Sequence, residues 1–125
     1  MIDLTYDQKI AIMRILLDLV LADKRVDMRE RDYFIRIAES LGLTSSVRPD
    51  VEQMNSLLAL SEIREFSQAD KEVLARLMGK MIVVDKDINY NEVRLYNVVN
   101  EFCGINIEFQ IEDYPEYASG INNWE

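Results

Sequence analysis

The chain has 125 residues, of which 49% are hydrophobic and 30% charged, as expected for one soluble globular domain with a substantial core. Its formal net charge of −9 disfavours nucleic acid and anionic membrane surfaces as partners, because both select basic patches. The absence of histidine excludes catalytic triads, Cys-His dyads and most zinc sites, so we expect that the protein is not an enzyme.

Three features predict a cytoplasmic protein. The longest apolar stretch, 10–22, is interrupted by charged residues and is too short to span a bilayer, so we expect no direct membrane insertion. Asp3 and Asp7 stand where a signal peptide carries basic residues. Cys103 is the single cysteine and cannot form an internal disulfide, which favours a reducing compartment.

The first predicted element is a helix over 6–22. Thr5 is its N-cap candidate, and Gln8 follows at the spacing of a capping box. The polar face of this helix is a narrow stripe of three residues, Asp7, Arg14 and Asp18. Such a helix is apolar almost all round, so we expect it at the centre of a bundle.

A second helix is predicted after a hinge at 23–26. Asp27 precedes Glu30 by three residues, which is again the capping-box spacing, and Gly42 supplies the left-handed residue that ends the helix. A shorter connecting helix then follows over about 49–60, because Pro49 suits the first turn of a helix. The stretch SEIREF (61–66) then leads the chain back to the start of a second helical hairpin.

The same pattern then recurs. Ser67 is the N-cap candidate of a helix over 68–84, and Asn89 with Glu92 begins another that Gly104 ends. A shift of 62 residues places 5–43 over 67–105 without a gap. Seven pairs are then identical: Lys9/Lys71, Arg14/Arg76, Asp23/Asp85, Lys24/Lys86, Glu30/Glu92, Glu39/Glu101 and Gly42/Gly104.

These elements predict an all-α fold. We expect a pseudo-duplicated helical bundle of two helix-hinge-helix repeats plus a connecting helix, with an extended C-terminal tail. The helical domain spans 1–104, and residues 105–125 form an acidic extension of the same domain.

The tail contains the one segment with strand periodicity, INIEFQI (105–111), in which apolar and polar residues alternate. One interpretation is an extended arm laid along a helical groove. The other pairs it as a strand with 61–66, or with its copy in a second protomer, to make a twofold dimer. Tyr114, Tyr117 and Trp124 would then anchor the acidic remainder.

The second hinge, VDKDINYNE, places Asp85, Asp87 and Asn89 at alternate positions, like the first ligands of a calcium loop. An EF-hand counted from Asp85 requires glycine at position six and glutamate at position twelve, where this chain has Tyr90 and Tyr96. The first hinge fails the same test, so neither hinge is an EF-hand.

Both copies have an aspartate at the same position, Asp23 in the first and Asp85 in the second. This position is at a helix C-terminus, where the macrodipole disfavours a carboxylate. One interpretation is an Asx-turn in which each carboxylate binds hinge amides. The other is a divalent-cation site of Asp85 and Asp87, with Asp23 and Asp27 as lesser contributors. Under either interpretation, we expect Asp23 and Asp85 to lie close together near one face, across the pseudo-twofold relation of the two copies. No other cofactor is expected.

The motif ADKRVDMRE…AESLGL (22–43), echoed by VDKDINYNE…NEFCGI (84–105), resembles the TerB-like family. That family includes bacterial tellurite-resistance proteins and the N-terminal domain of a membrane-anchored DnaJ-type co-chaperone. The resemblance covers residues 5–105 and implies a pseudo-duplicated helical fold, cytoplasmic and non-enzymatic, linked to stress or tellurite resistance. Family members usually carry glycine directly after the aspartate, where this chain has Lys24 and Lys86.

Our first hypothesis is therefore a non-catalytic, TerB-like interaction module that docks a protein partner or self-associates through its hinge face or tail. The alternative, from a different class, is a divalent-cation sensor that uses the acidic hinge carboxylates. A carboxylate-based hydrolase is a distant third.

Overall fold

The computed structural model describes residues 3–22, 27–84 and 88–115, and these residues form a bundle of α-helices without a strand. The predicted all-α fold is thereby confirmed. The six helices within these ranges are α1 Tyr6–Ala22, α2 Met28–Ser40, α3 Arg48–Gln53, α4 Ser56–Arg64, α5 Gln68–Val83 and α6 Tyr90–Phe102. None of them is long and apolar enough to cross a membrane.

Helix α1 lies at the centre of the bundle, as its narrow polar stripe predicts. It packs against each of the other five helices. Buried side chains occur on successive turns and on several of its faces, including Ile10, Ile12, Leu16 and Leu19. The hydrophobic core is therefore built around this one helix.

The polar stripe of α1 binds the connecting segment. The Arg14 guanidinium donates to Asp18 Oδ1 at 2.8 Å and to the main-chain carbonyl of Glu52 at 3.1 Å. The Ser56 hydroxyl donates to Asp18 Oδ2 at 2.7 Å. Because Glu52 lies in the last turn of α3, the guanidinium satisfies a carbonyl that the helix leaves without a partner. These bonds hold the junction of α3 and α4 against α1.

The connecting segment differs from the prediction of one helix over about 49–60. It forms two helices, because Asn55 adopts an extended conformation and its side chain accepts a hydrogen bond from the Leu57 amide at 2.8 Å, which caps α4. Helix α4 then continues to Arg64, driven by burial of Leu60 and Ile63. Residues 61–64 are therefore helical, and the predicted strand pairing of the tail with 61–66 within the chain is wrong.

Most helix ends lie where the caps predict. Thr5 and Gln8 form a reciprocal capping box, with N···O distances of 2.8 and 3.1 Å. Ser67 accepts from the third amide of α5 at 3.1 Å. Gly42 and Gly104 follow α2 and α6 with φ values of 75° and 68°, the left-handed conformation that glycine adopts at low cost.

The bounds of the two hairpins follow the 62-residue register. Helices α2 and α6 each have 13 residues and start 62 residues apart. Helices α1 and α5, of 17 and 16 residues, also start 62 residues apart. The superposition of 5–43 on 67–105 remains a prediction, since similar bounds do not establish similar packing.

After α6 the chain continues as an extended arm, residues 105–114, interrupted by a single 3-10 turn at Ile111–Asp113. Ile105 is fully buried, and Ile107 and Phe109 pack against the core. The arm lies along the helices, as the first interpretation of the tail expected.

Candidate functional site

Of the predicted cation ligands, Asp23, Asp85 and Asp87 lie outside the described residues, so their expected proximity remains a prediction. Asp27 is the N-cap of α2. Its carboxylate accepts from the Arg29 amide at 2.7 Å and from the Arg29 guanidinium at 3.2 Å. The side-chain hydrogen bond from Arg29 lowers the pKa of Asp27 below its ordinary value, and hydrogen bonds from main-chain amides lower this pKa to a smaller extent. Asp27 is therefore already bound to Arg29 as a helix cap.

The described ranges contain no group of three or more His, Cys, Asp or Glu residues placed to hold a metal ion.

Two glutamates beside the hinges are completely buried. Glu30 and Glu92 have no exposed surface and are the two buried charged residues in the described part of the chain. Each stands three residues after a cap, Asp27 or Asn89, and helical side chains lean toward the N-terminus of their helix, which here means toward the hinge. Both glutamates take part in interactions within the protein. Their assignment to capping boxes stays a prediction, and their complete burial was not predicted from the sequence.

The outer side of α6 carries a row of exposed side chains. We call Tyr90, Arg94, Val98 and Phe102 the α6 outer face. Its three apolar members are 73%, 53% and 45% exposed in chain order. A spacing of four residues keeps them on one side of the helix, over about 18 Å.

Two arginines lie against the aromatic rings of the α6 outer face. The Arg94 guanidinium is 5.6 Å from the Tyr90 ring, and that of Arg64, at the end of α4, is 5.6 Å from the Phe102 ring. Neither arginine forms an ion pair with a described residue. Sequence reasoning missed this face, although the four-residue spacing was visible.

On its other side, α6 forms a groove with α5 that holds the arm. The Tyr96 hydroxyl donates to the Ile107 carbonyl at 2.6 Å, and the Asn100 side-chain oxygen accepts from the Ile107 amide at 2.9 Å. On α5, the Gln68 side chain donates to the Ile105 carbonyl at 2.9 Å. Three side chains of the helices thus bind the main chain of the arm.

Aromatic rings and a glycine complete the groove. The Phe109 ring contacts the edge of Tyr96 at 5.7 Å between centroids and stacks with Tyr114 at 6.0 Å. Burial raises the pKa of Tyr96 and Tyr114 above the ordinary value of 10. The Tyr114 phenol lies against Gly79 so closely that a Cβ there would overlap with it. Gly79 was not singled out from the sequence, although glycine inside a helix signals a close approach.

Comparison with known proteins gives a fold relative. No family model matches the chain, and no curated protein matches it. A crystal structure of a protein of unknown function from Porphyromonas gingivalis W83 superposes with a TM-score of 0.70 at 19% identity and covers 98% of both chains. At this identity the similarity shows a shared fold and nothing about activity.

Proposed function

We propose that this protein is a non-catalytic interaction module that docks a protein partner on the α6 outer face. The observation that supports the proposal is the exposure of Tyr90, Val98 and Phe102 along one side of a helix. Side chains of this kind stabilise a complex because association removes apolar surface from water, at about 25 cal/mol per Å². Tyrosine and arginine are also enriched among the residues that dominate binding energy at interfaces.

Membership of the TerB-like family and a role in stress or tellurite resistance belong to the same proposal. They rest on the paired motifs at 22–43 and 84–105. Tellurite is an anion and gains no attraction from a chain of net charge −9, so the proposed role is indirect, through protein contacts. The proposed location is the cytoplasm, which the lone Cys103 favours.

The test places a photo-crosslinking residue at Val98 in the full chain, expressed in its native host. The matched control carries the same group at Glu39, an exposed position on α2. We expect a discrete crosslinked product from position 98 that position 39 does not give. Adding Tyr90→Ala and Phe102→Ala should remove the crosslinked product from position 98, because both changes reduce the apolar surface of the α6 outer face. Equal products from positions 98 and 39 would refute the proposal.

A further inference from the structure

We propose that the groove between α5 and α6 is a peptide-binding site, filled within one chain by its own arm and between chains by the arm of a second copy. This site is distinct from the α6 outer face. The two copies would exchange arms and form a closed dimer with twofold symmetry.

The groove recognises a peptide main chain. The amide and the carbonyl of Ile107 are both bound by α6 side chains, Asn100 and Tyr96, at 2.9 and 2.6 Å. An extended segment against helices has no neighbouring strand to satisfy its amides and carbonyls, so side chains or water must do so. These bonds depend on the position of the peptide unit and not on its covalent connection to α6. A second chain therefore offers the same donors and acceptors.

The groove also selects side chains. Ile105 is fully buried, and Ile107 and Phe109, at alternate positions, pack against the core. Further along, the space over Gly79 accepts the Tyr114 phenol. The ligand class is thus an extended peptide with apolar residues at alternate positions, followed by a tyrosine. The arm is the segment whose fit the structure demonstrates, which makes a second copy the partner.

A turn near the start of the arm, at Asn106, favours exchange. Asn106 has a φ of 63° and is the one non-glycine residue with positive φ in the described ranges. The left-handed conformation is unfavourable for residues that have a Cβ, although asparagine tolerates it better than most. Opening this turn lets residues 107–114 extend to a second copy and make the same contacts in the groove of that copy. Within one chain the arm is at a high effective concentration, so exchange requires concentrated protein.

The first experiment measures binding of a labelled peptide, residues 105–115, to the full chain by fluorescence anisotropy. Wild-type chain should bind weakly, because its own arm occupies the groove. A chain with Phe109→Ala and Tyr114→Ala has a weaker arm and should bind the peptide at least about tenfold more tightly, since more grooves are open. Adding Asn100→Ala to that chain should reduce the affinity severalfold, because the Ile107 amide of the peptide loses its acceptor.

Two complementary substitutions, one in the chain and one in the peptide, test whether the added peptide occupies the position that the arm has in the structure. Gly79→Ala in the arm-weakened chain should block the native peptide, and a peptide carrying Tyr114→Gly should bind that chain again. Absence of peptide binding to the arm-weakened chain, or binding that is indifferent to Asn100→Ala and Gly79→Ala, would overturn the groove assignment. The crosslink from position 98, which tests the proposed function, does not depend on the outcome of these peptide-binding measurements.

The second experiment measures the dimer fraction of the full chain by sedimentation at concentrations up to about 1 mM, near the effective concentration of a tethered arm. Asn106→Val makes the left-handed turn more strained and should increase the dimer fraction, whereas Asn106→Gly relieves the strain and should decrease it. Residue 106 is exposed, so neither change alters the core. Monomers for all three chains, or equal dimer fractions, would overturn arm exchange.

Discussion

At the residue scale, the complete burial of the Glu30 and Glu92 side chains is the feature least expected from the sequence. A buried carboxylate is costly unless hydrogen bonds or an opposite charge compensate it. Both are fully buried at matching positions of the two hairpins, each at the third position of its helix. The sequence identified their position through the capping-box spacing, but burial depends on how the hairpins pack and could not be predicted from local pattern.

We therefore expect Glu30→Gln and Glu92→Gln each to lower the free energy of unfolding by about 1–3 kcal/mol, because a neutral amide does not match the site that compensates a carboxylate. Glu39→Gln, on the exposed side of α2, is the control and should change it by less than about 0.5 kcal/mol. Urea denaturation measures the three values. Glu30→Gln and Glu92→Gln chains as stable as the control would show that carboxylate charge is unimportant at these positions.

The cation-sensor alternative also belongs to single residues. If Asp85 and Asp87 form a cation site, millimolar calcium, magnesium or zinc should raise the melting temperature, because a ligand that binds the folded state stabilises it by mass action. Asp85→Asn should remove most of that increase. Glu39→Gln, at an exposed position of α2 away from both hinges, is the control. A wild-type melting temperature that no cation changes would leave the Asx-turn interpretation.

At the element scale, α5 contains a glycine in its interior because the arm crosses it there. Alanine is favoured over glycine in a helix by about 1 kcal/mol, yet at Gly79 its Cβ would overlap with the Tyr114 phenol. We expect Gly79→Ala to lower the free energy of unfolding by about 1–3 kcal/mol, as overpacking does.

In a Tyr114→Ala background the same Gly79→Ala change should raise that free energy, because the clash is gone and helix propensity remains. A double-mutant cycle of thermal or urea unfolding measures this reversal of sign. Additive effects of the two substitutions would show that Tyr114 does not contact Gly79 in solution.

The elements differ in how far local pattern determines them. The helix over 6–22 has both a capping box and a continuous apolar surface, and it formed where predicted. The helix predicted over 49–60 is divided, because Asn55 competes for the hydrogen bonds of the helix backbone and starts a new helix. Alternation in the arm indicated an extended segment correctly. It gave no information on the partner, since an apolar face fits a groove and a sheet equally well.

At the scale of the whole molecule, the arm covers one side of the second hairpin. A chain that ends after Gly104 loses the buried Ile105 and the packed Ile107 and Phe109. We expect its free energy of unfolding to fall by about 5 kcal/mol, from roughly 1.5–3 kcal/mol for each large apolar side chain that is no longer buried. Urea denaturation checks this value, and a chain that ends after Pro115 is the control. Equal stability of the two truncated chains would contradict the role of the arm.

The central position of α1 has a consequence for synthesis on the ribosome. This helix is made before the other five described helices, and those that cover it include α4, α5 and α6; α6 ends eighty positions after α1. At ordinary rates of translation, Phe102 is added on the order of 10 s after Ala22. Until α4 and the helices after it have been made, the apolar side chains of α1 lack most of their final neighbours. The nascent chain therefore presents a hydrophobic segment of the kind that chaperones bind, until its second half emerges.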